Sequence, residues 1–218
     1  MTLDEVEATA QAQALTIHGA FHCSAGDQTP AGHKTLLMFG PDEPRFWQVF
    51  SQSPEHGDGD LDPLDRWSKR VIGALARLWH GQAIFPSDGP PYPPFLRWAQ
   101  ATGRCWPSPT GLLVHDKTGL MVSFRGAIAL PDQLELPFAP PAPCPDCTAR
   151  PCETACPVGA LAADRPYDVN ACRTHVMSAA GVDCRRNGCL TRRACPVSRQ
   201  QDRNPAQAAF HMAAFVKE

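Results

Sequence analysis

Cysteine is the residue type whose spacing in this sequence could carry chemistry. Eight of the ten cysteines fall between positions 144 and 195 of a chain of 218 residues. They are Cys144, Cys147, Cys152, Cys156, Cys172, Cys184, Cys189 and Cys195. Four thiolates hold one 4Fe–4S cluster, so eight thiolates are enough for two such clusters. The pattern therefore predicts one-electron redox chemistry before it indicates any substrate.

The endings of the two cysteine runs favour iron–sulfur clusters. Each run ends in Cys-Pro, at 156–157 and at 195–196, as do the cysteine runs of bacterial two-cluster ferredoxins. Structural zinc is the stronger alternative, because Cys-x2-Cys pairs such as Cys144 and Cys147 also bind zinc. No histidine lies at zinc-finger spacing, however. A disulfide framework is the other alternative, although such frameworks are typical of shorter, secreted chains.

Composition excludes some classes of function. Lys and Arg number 20 and Asp and Glu 22, for a net charge of −2, so we expect no nucleic-acid partner. No apolar run approaches the roughly 20 residues of a membrane span. The N-terminus is acidic and has no apolar signal segment, so ten cysteines predict a reducing compartment, the cytoplasm.

The helices and strands that must position these residues are predicted from the spacing of apolar residues and from the positions of proline, glycine and helix-capping residues. An apolar run at 35–39 predicts a buried strand, and residues 1–15 a short helix or a frayed arm. Asp62 and Pro63 are typical of a helix N-terminus, and apolar residues then recur at three- and four-residue steps as far as Leu78. The remaining predicted elements are a strand at 83–85, a helix at 92–102, a hairpin with strands at 111–115 and 120–124, a proline-rich linker at 137–143 and a helix at 205–216.

Residues 66–195 resemble epoxyqueuosine reductase and its relatives, as a shortened and divergent member. The segment Phe85-Pro-Ser-Asp-Gly-Pro-Pro91 is similar to the family's Phe-Val-Asp-Ser-Ala-Pro. The hairpin at 111–128 lies where the family has its own, and Tyr167 to Cys172 is similar to the family's Tyr-x-x-Asp-x-x-x-Cys. The resemblance implies an α+β chain, with an α/β nitroreductase-like, corrinoid-binding domain at 1–138 and a two-cluster ferredoxin-like domain at 139–218.

The resemblance also implies roles for particular residues. Asp88 matches the family's proposed catalytic aspartate, and cobalamin would be the cofactor of the N-terminal domain. One cluster would be held by Cys144, Cys147, Cys152 and Cys195, and the other by Cys156, Cys172, Cys184 and Cys189. From the residues alone, Asp88 can equally be a turn aspartate bonded to its own backbone.

Other candidate residues have two interpretations each. Trp98 and Trp106 could stack on a cofactor or belong to the core. Cys23, flanked by His22 and His33, could mark a metal site or be a buried apolar residue. Six arginines near the second run could dock an acidic donor protein or offset cluster charge, and they are Arg185, Arg186, Arg192, Arg193, Arg199 and Arg203.

These observations predict a redox enzyme. Two 4Fe–4S clusters would pass electrons to cobalamin or to a small-molecule substrate in the N-terminal domain, and a flavodoxin- or ferredoxin-type protein would donate them. The alternative is an electron carrier or docking module whose N-terminal part has no catalytic pocket.

Overall fold

The computed structural model describes residues 1–217 and has a mixed α+β fold. The chain divides into two compact units. Unit 1 contains residues 1–104 and 123–140, and unit 2 contains residues 105–122 and the chain from 141 onward. The predicted domain boundary at 138/139 lies close to the last crossing between the units. Residues 105–122 belong to unit 2, whereas the sequence predicts them in the first domain.

Unit 1 is built on an antiparallel four-stranded sheet. Its strands are β1 (Leu15–His22), β2 (Thr35–Pro41), β3 (Gln82–Ile84) and β6 (Gly126–Leu130). Their order in the sheet is β1-β2-β6-β3. Its helices are α1 (Leu3–Ala12), α2 (Arg45–Ser51), α3 (Pro54–Gly57), α4 (Pro63–Leu78) and α5 (Phe95–Ala101). Every residue of β2 and β6 is buried, so these central strands are covered on both faces.

Helix α4 follows the predicted pattern closely. Pro63 occupies its first turn, where a missing N–H costs nothing. The buried face includes Trp67, whose ring meets that of Phe46 edge-on at 5.3 Å between centroids. Asp62 lies at the predicted N-cap, but its side chain makes no capping hydrogen bond. Helix α5 begins later than predicted, at Phe95, because Tyr92 and Pro93 each precede a proline, and a residue before proline is disfavoured in the helical conformation.

Unit 2 is mostly helical and contains one small two-stranded sheet. Its strands are β4 (Cys105–Pro107) and β5 (Leu113–His115). Its helices are α6 (Val169–Met177), α7 (Val182–Asn187), α8 (Leu190–Ala194) and α9 (Pro205–Lys217), with short 3-10 turns at Pro151–Glu153 and Ser198–Gln200. Within the part of the chain that the structure describes, no helix is both long and apolar enough to cross a membrane.

The predicted hairpin is wrong in one of its strands. Strand β5 lies within the predicted 111–115, but it pairs with β4 at 105–107. Residues 120–124 form no strand.

Side chains of the C-terminal region bond the backbone of this segment instead. The Ser198 hydroxyl accepts the Leu120 N–H at 2.8 Å. Arg192 donates to the Leu120 carbonyl, and Arg203 donates to the Met121 carbonyl at 2.9 Å. Because these side chains satisfy backbone groups of Leu120 and Met121, those groups need no strand partner.

Candidate metal centres

Unit 2 gathers the eight clustered cysteines around two cavities. Site 1 is a cavity of about 350 Å³ whose lining includes Cys144, Cys147, Cys152 and Cys195. Site 2 is a narrower cavity of about 20 Å³ whose lining includes Cys156, Cys172, Cys184 and Cys189. These are the two sets of four that the family resemblance implies, and their role as cluster ligands stays a prediction.

Site 1 combines two distant parts of the sequence. The turn at 144–147 is closed by a hydrogen bond from the Cys147 N–H to the Cys144 carbonyl at 3.1 Å. Cys152 and Cys195 are buried together with Val114 and Leu120 from the 105–122 segment. Apolar side chains of that segment therefore form part of the wall of the cysteine site.

Gly119 allows this segment to approach Cys195 closely. A Cβ atom at Gly119 would lie 2.5 Å from the Ser198 nitrogen and 3.1 Å from the Cys195 sulfur. The φ angle of Gly119 is +58°, a left-handed conformation that favours glycine. Nothing near Gly119 in the sequence reveals this contact with residues 195–198.

Site 2 is assembled from the starts and ends of short helices. Cys172 lies in the first half of α6, whose N-terminus is capped by Asp168: the Asp168 carboxylate accepts the Ala171 N–H at 2.9 Å. Cys184 lies in α7 and Cys189 immediately precedes α8. Met212 of α9 completes the apolar lining of the cavity, so the C-terminal helix contributes to this site.

Burial raises the pKa of several of these thiols. The affected residues are Cys144, Cys152, Cys172 and Cys184, and neighbouring cysteines raise the pKa of each further. These thiols therefore resist ionisation on their own. A metal that binds here must displace their protons, which makes binding weaker as the pH falls.

Tyr167 is a residue near site 2 that the cysteine spacing alone does not identify. It lies close enough to Cys172 and Cys189 for both thiols to act on its hydroxyl electrostatically. Burial, followed by the contact with Cys172, raises the pKa of Tyr167 above its ordinary value. In the sequence, the five-residue separation of Tyr167 from Cys172 is the signal for this proximity.

Most of the arginines near the second run are bound within unit 2. Four of the six donate hydrogen bonds to backbone carbonyls, and they are Arg185, Arg192, Arg193 and Arg203. Arg193 also pairs with Asp183 at 2.5 Å. Arg186 and Arg199 are exposed. These contacts favour a structural and charge-offsetting role for the four bound arginines, and docking of an acidic donor protein stays a prediction.

Asp88 makes local contacts in unit 1. Its carboxylate accepts the Phe85 N–H at 2.9 Å and pairs with the Lys69 ammonium at 3.4 Å. The Asp88 N–H in turn donates to the Phe85 carbonyl at 3.0 Å. These are the contacts of a turn aspartate, the second interpretation given above. The catalytic role of Asp88 stays a prediction that these contacts do not support.

The two tryptophans proposed as cofactor contacts differ in environment. Trp98 is only 1% exposed, and its indole N–H donates to the Asp27 carbonyl at 2.7 Å. This burial gives Trp98 a core role in unit 1. Trp106 is partly buried in unit 2 and packs against the apolar cluster that contains Cys152 and Cys195. Trp106 thus belongs to the surroundings of site 1.

Cys23 and the two neighbouring histidines, His22 and His33, make contacts that account for their positions in unit 1. The Cys23 N–H donates to the Lys34 carbonyl at 2.9 Å, and a ring nitrogen of His22 lies 2.9 Å from the Leu134 carbonyl. A ring nitrogen of His33 contacts the carbonyls at 30 and 31. These contacts give each of the three residues a structural partner.

Comparisons with known proteins add nothing to this geometry. No protein-family model, no curated protein and no solved structure matches the chain. Within residues 1–217, no three His, Cys, Asp or Glu side chains converge on a point where a single metal ion could bind. The case for function therefore depends on the arrangement of the cysteines.

Proposed function

We propose that the protein is an iron–sulfur electron-transfer protein that holds two 4Fe–4S clusters in unit 2, one at site 1 and one at site 2. The observation that carries the proposal is the division of eight cysteines into two sets of four around separate cavities of one compact unit. When bound, a cluster of this kind takes up and releases single electrons.

The donor sets suit clusters better than single zinc ions. Zinc requires four sulfurs about 2.3 Å from one centre, so the sulfurs must converge. A cubane has four irons, and each iron takes one cysteine thiolate, so the sulfurs must surround a volume. The cysteines of site 1 border about 350 Å³ of space. Site 2 has the same four-thiol donor set, and its narrower cavity requires the side chains to move apart as a cluster enters.

The remaining residues of each site exclude water and balance charge. Val114, Leu120 and Trp106 form an apolar wall beside site 1, and Met212 does so at site 2. An apolar, hydrogen-bonded surrounding of this kind tunes the potential of a metal centre. The four arginines bound within unit 2 offset the negative charge of thiolate-bound clusters.

The recipient of the electrons is proposed on the resemblance alone. In the leading version, cobalamin or a substrate held by unit 1 accepts them, and a flavodoxin- or ferredoxin-type protein supplies them. In the other version the protein is a carrier that passes electrons onward to a separate enzyme. Most of the arginines that could have formed a donor-binding surface are bound within unit 2, so only the iron–sulfur part has support from geometry.

Anaerobic purification with metal analysis tests the proposal. We expect about eight irons and eight acid-labile sulfides per chain, and loss of about half of them in Cys152→Ser. The matched control is Cys23→Ser in unit 1, which keeps full content. A zinc content of about two without sulfide would contradict the proposal. Corrinoid or flavin absorption in the same spectrum separates the enzyme from the carrier.

A further inference from the structure

Thr191 has a buried hydroxyl that the rest of the protein does not satisfy. The residue is 0% exposed, and its Oγ1 atom makes no hydrogen bond with any other group of residues 1–217. A buried hydroxyl without a partner costs free energy in a folded protein, and each such atom requires an explanation. The orphaned hydroxyl indicates that something other than the protein is its partner.

This hydroxyl belongs to a residue in the wall of site 2. Thr191 lines that cavity together with Cys189 and the other three cysteines of the site. Apart from the cysteines, Thr191 and His175 are the polar residues of this lining, and the remaining residues are apolar. Since none of the four thiols bonds to Oγ1, the hydroxyl remains available to a group bound among them.

Helix α8 holds Thr191 in this position. The Arg193 N–H donates to the Cys189 carbonyl at 3.0 Å, which joins the threonine turn to a cysteine of the site. The side chain of Arg192 donates to the Leu120 carbonyl, so the helix is also fixed to the segment at 105–122. Threonine is β-branched and has few side-chain conformations. The hydroxyl is therefore placed by an anchored helix rather than by a flexible loop.

A threonine hydroxyl can donate one hydrogen bond. A 4Fe–4S cluster brings sulfides that carry negative charge and accept such bonds, and hydrogen bonds to the sulfurs are among the factors that set cluster potentials. The reduced cluster carries more negative charge than the oxidised one. A donor therefore stabilises the reduced form more strongly and raises the reduction potential.

We infer that the Thr191 hydroxyl donates a hydrogen bond to a sulfide of the cluster held at site 2 and raises the reduction potential of that cluster. This inference rests on the proposed function. The cluster supplies the acceptor that the protein does not. Because electrons move toward the centre with the higher potential, Thr191 biases them toward site 2.

The test is a redox titration followed by electron paramagnetic resonance. Thr191→Val removes the hydroxyl and keeps the branched shape. We expect the oxidised-to-reduced ratio of the site 2 cluster to rise by up to tenfold at fixed potential, a downward shift of up to about 59 mV for a one-electron couple. Thr191→Ser keeps the hydroxyl and should restore the couple. The same titration on a Cys152→Ser background, in which site 2 alone keeps four cysteines, assigns the shifted couple.

Thr118→Val is the matched control. The Thr118 hydroxyl of unit 2 also has a buried Oγ1 without a partner in the described chain, but Thr118 is not part of the site 2 lining. Its removal should leave the site 2 couple unmoved. Thr191→Ala is the second variant without the hydroxyl, for use where the valine side chain prevents cluster assembly.

A second measurement detects the donated proton itself. Electron–nuclear double resonance of the reduced site 2 cluster, in H₂O and in D₂O, should show an exchangeable proton in the wild type and in Thr191→Ser that Thr191→Val lacks. Full iron content with an unmoved site 2 couple in Thr191→Val, or absence of an exchangeable proton from the wild-type spectrum, would overturn the inference. Absence of iron and sulfide from the wild type would instead overturn the proposed function.

Discussion

The two units of this protein are stabilised by different kinds of core. Among the largest side chains that are essentially inaccessible to solvent in the described residues, Leu120 belongs to unit 2, whereas the others, such as Trp67, Trp98 and Phe46, belong to unit 1. Unit 2 instead buries cysteines, among them Cys152, Cys184 and Cys195. Unit 1 thus has the apolar core of an ordinary domain, while unit 2 concentrates potential metal ligands where such a core would be.

This difference indicates where each unit obtains its stability. Apolar burial contributes about 25 cal/mol per Å², and small domains that bury little apolar surface need cross-links or metals in addition. If the proposed clusters are bound, metal–thiolate bonds supply in unit 2 the stabilisation that apolar burial supplies in unit 1. The two units should therefore respond oppositely to metal removal and to core mutation.

The largest expected effect is that of removing metal. Chelation under oxidising conditions should unfold unit 2, because the apolar core left at the cysteine sites is small, and should leave unit 1 folded. Hydrogen exchange read by mass spectrometry checks this segment by segment, with β2 and β6 as the internal control. Unchanged protection of α6 and α7 in the metal-free protein would show that unit 2 does not depend on metal.

The converse experiment weakens unit 1 alone. Trp67→Ala removes a side chain that is 1% exposed and should destabilise unit 1 by about 3–5 kcal/mol. Thermal unfolding measures the loss, and iron content should not change. Leu78→Ala is the control on the same helix, since Leu78 is 61% exposed and should cost at most about 0.5 kcal/mol. Loss of iron in Trp67→Ala would mean that the two cores are not independent.

A smaller effect is expected inside unit 2. Gly119→Ala places a Cβ against Ser198 and Cys195, so we expect a cost of about 1–3 kcal/mol and a selective loss of iron from site 1. Gly111→Ala is the matched control, because Gly111 also has a positive φ, +76°, but no atom lies within 4 Å of the added Cβ. Metal analysis compares the iron content of the two variants. Equal iron content would remove Gly119 from the construction of site 1.

The smallest expected effect is a pH dependence confined to unit 1. Arg70 hydrogen-bonds to Glu55 at 2.5 Å and lowers the pKa of that carboxyl from 4.5 to about 2. Because the pKa is lower in the folded state, the ion pair stabilises unit 1 above pH 4.5 and is lost as the pH falls toward 2. Arg70 is half-exposed, so solvent screening limits the contribution to about 1 kcal/mol.

Unfolding of unit 1 followed between these pH values checks this prediction. Glu55→Gln should flatten the acid-side slope, whereas Glu135→Gln, at an exposed position, should not. An unchanged slope in Glu55→Gln would assign the acid sensitivity of unit 1 to other groups.

The elements of unit 1 were predictable where local pattern and burial agree. Helix α4, strand β2 and strand β3 lie where the apolar spacing predicts them, because each buries the face that its sequence makes apolar. Strand β6 was missed. Its Gly-Ala-Ile-Ala-Leu run is short, and its role as a central strand depends on partners distant in sequence.

The cysteines of unit 2 were predictable and its backbone less so. Cysteine spacing singled out the eight cysteines that line the two cavities, and their role as cluster ligands stays a prediction. The strand predicted at 120–124 is wrong because Arg192, Arg203 and Ser198 hydrogen-bond to the backbone at its start. A local sequence pattern cannot reveal contacts with side chains 70 or more residues away. Contacts of this kind also explain why most arginines of a basic segment that suggested a partner surface bond the protein's own backbone.

The order in which the chain visits its two units affects how the gene can be cut and recombined. The chain passes between the units at 104/105, 122/123 and 140/141. A cassette that begins at 141 would carry all eight clustered cysteines but would lack Val114 and Leu120 from the wall of site 1. A fragment that ends at 104 would lack β6, which pairs with both β2 and β3. Neither unit can therefore be exchanged as one continuous stretch of DNA, and recombination has to preserve both interwoven parts together.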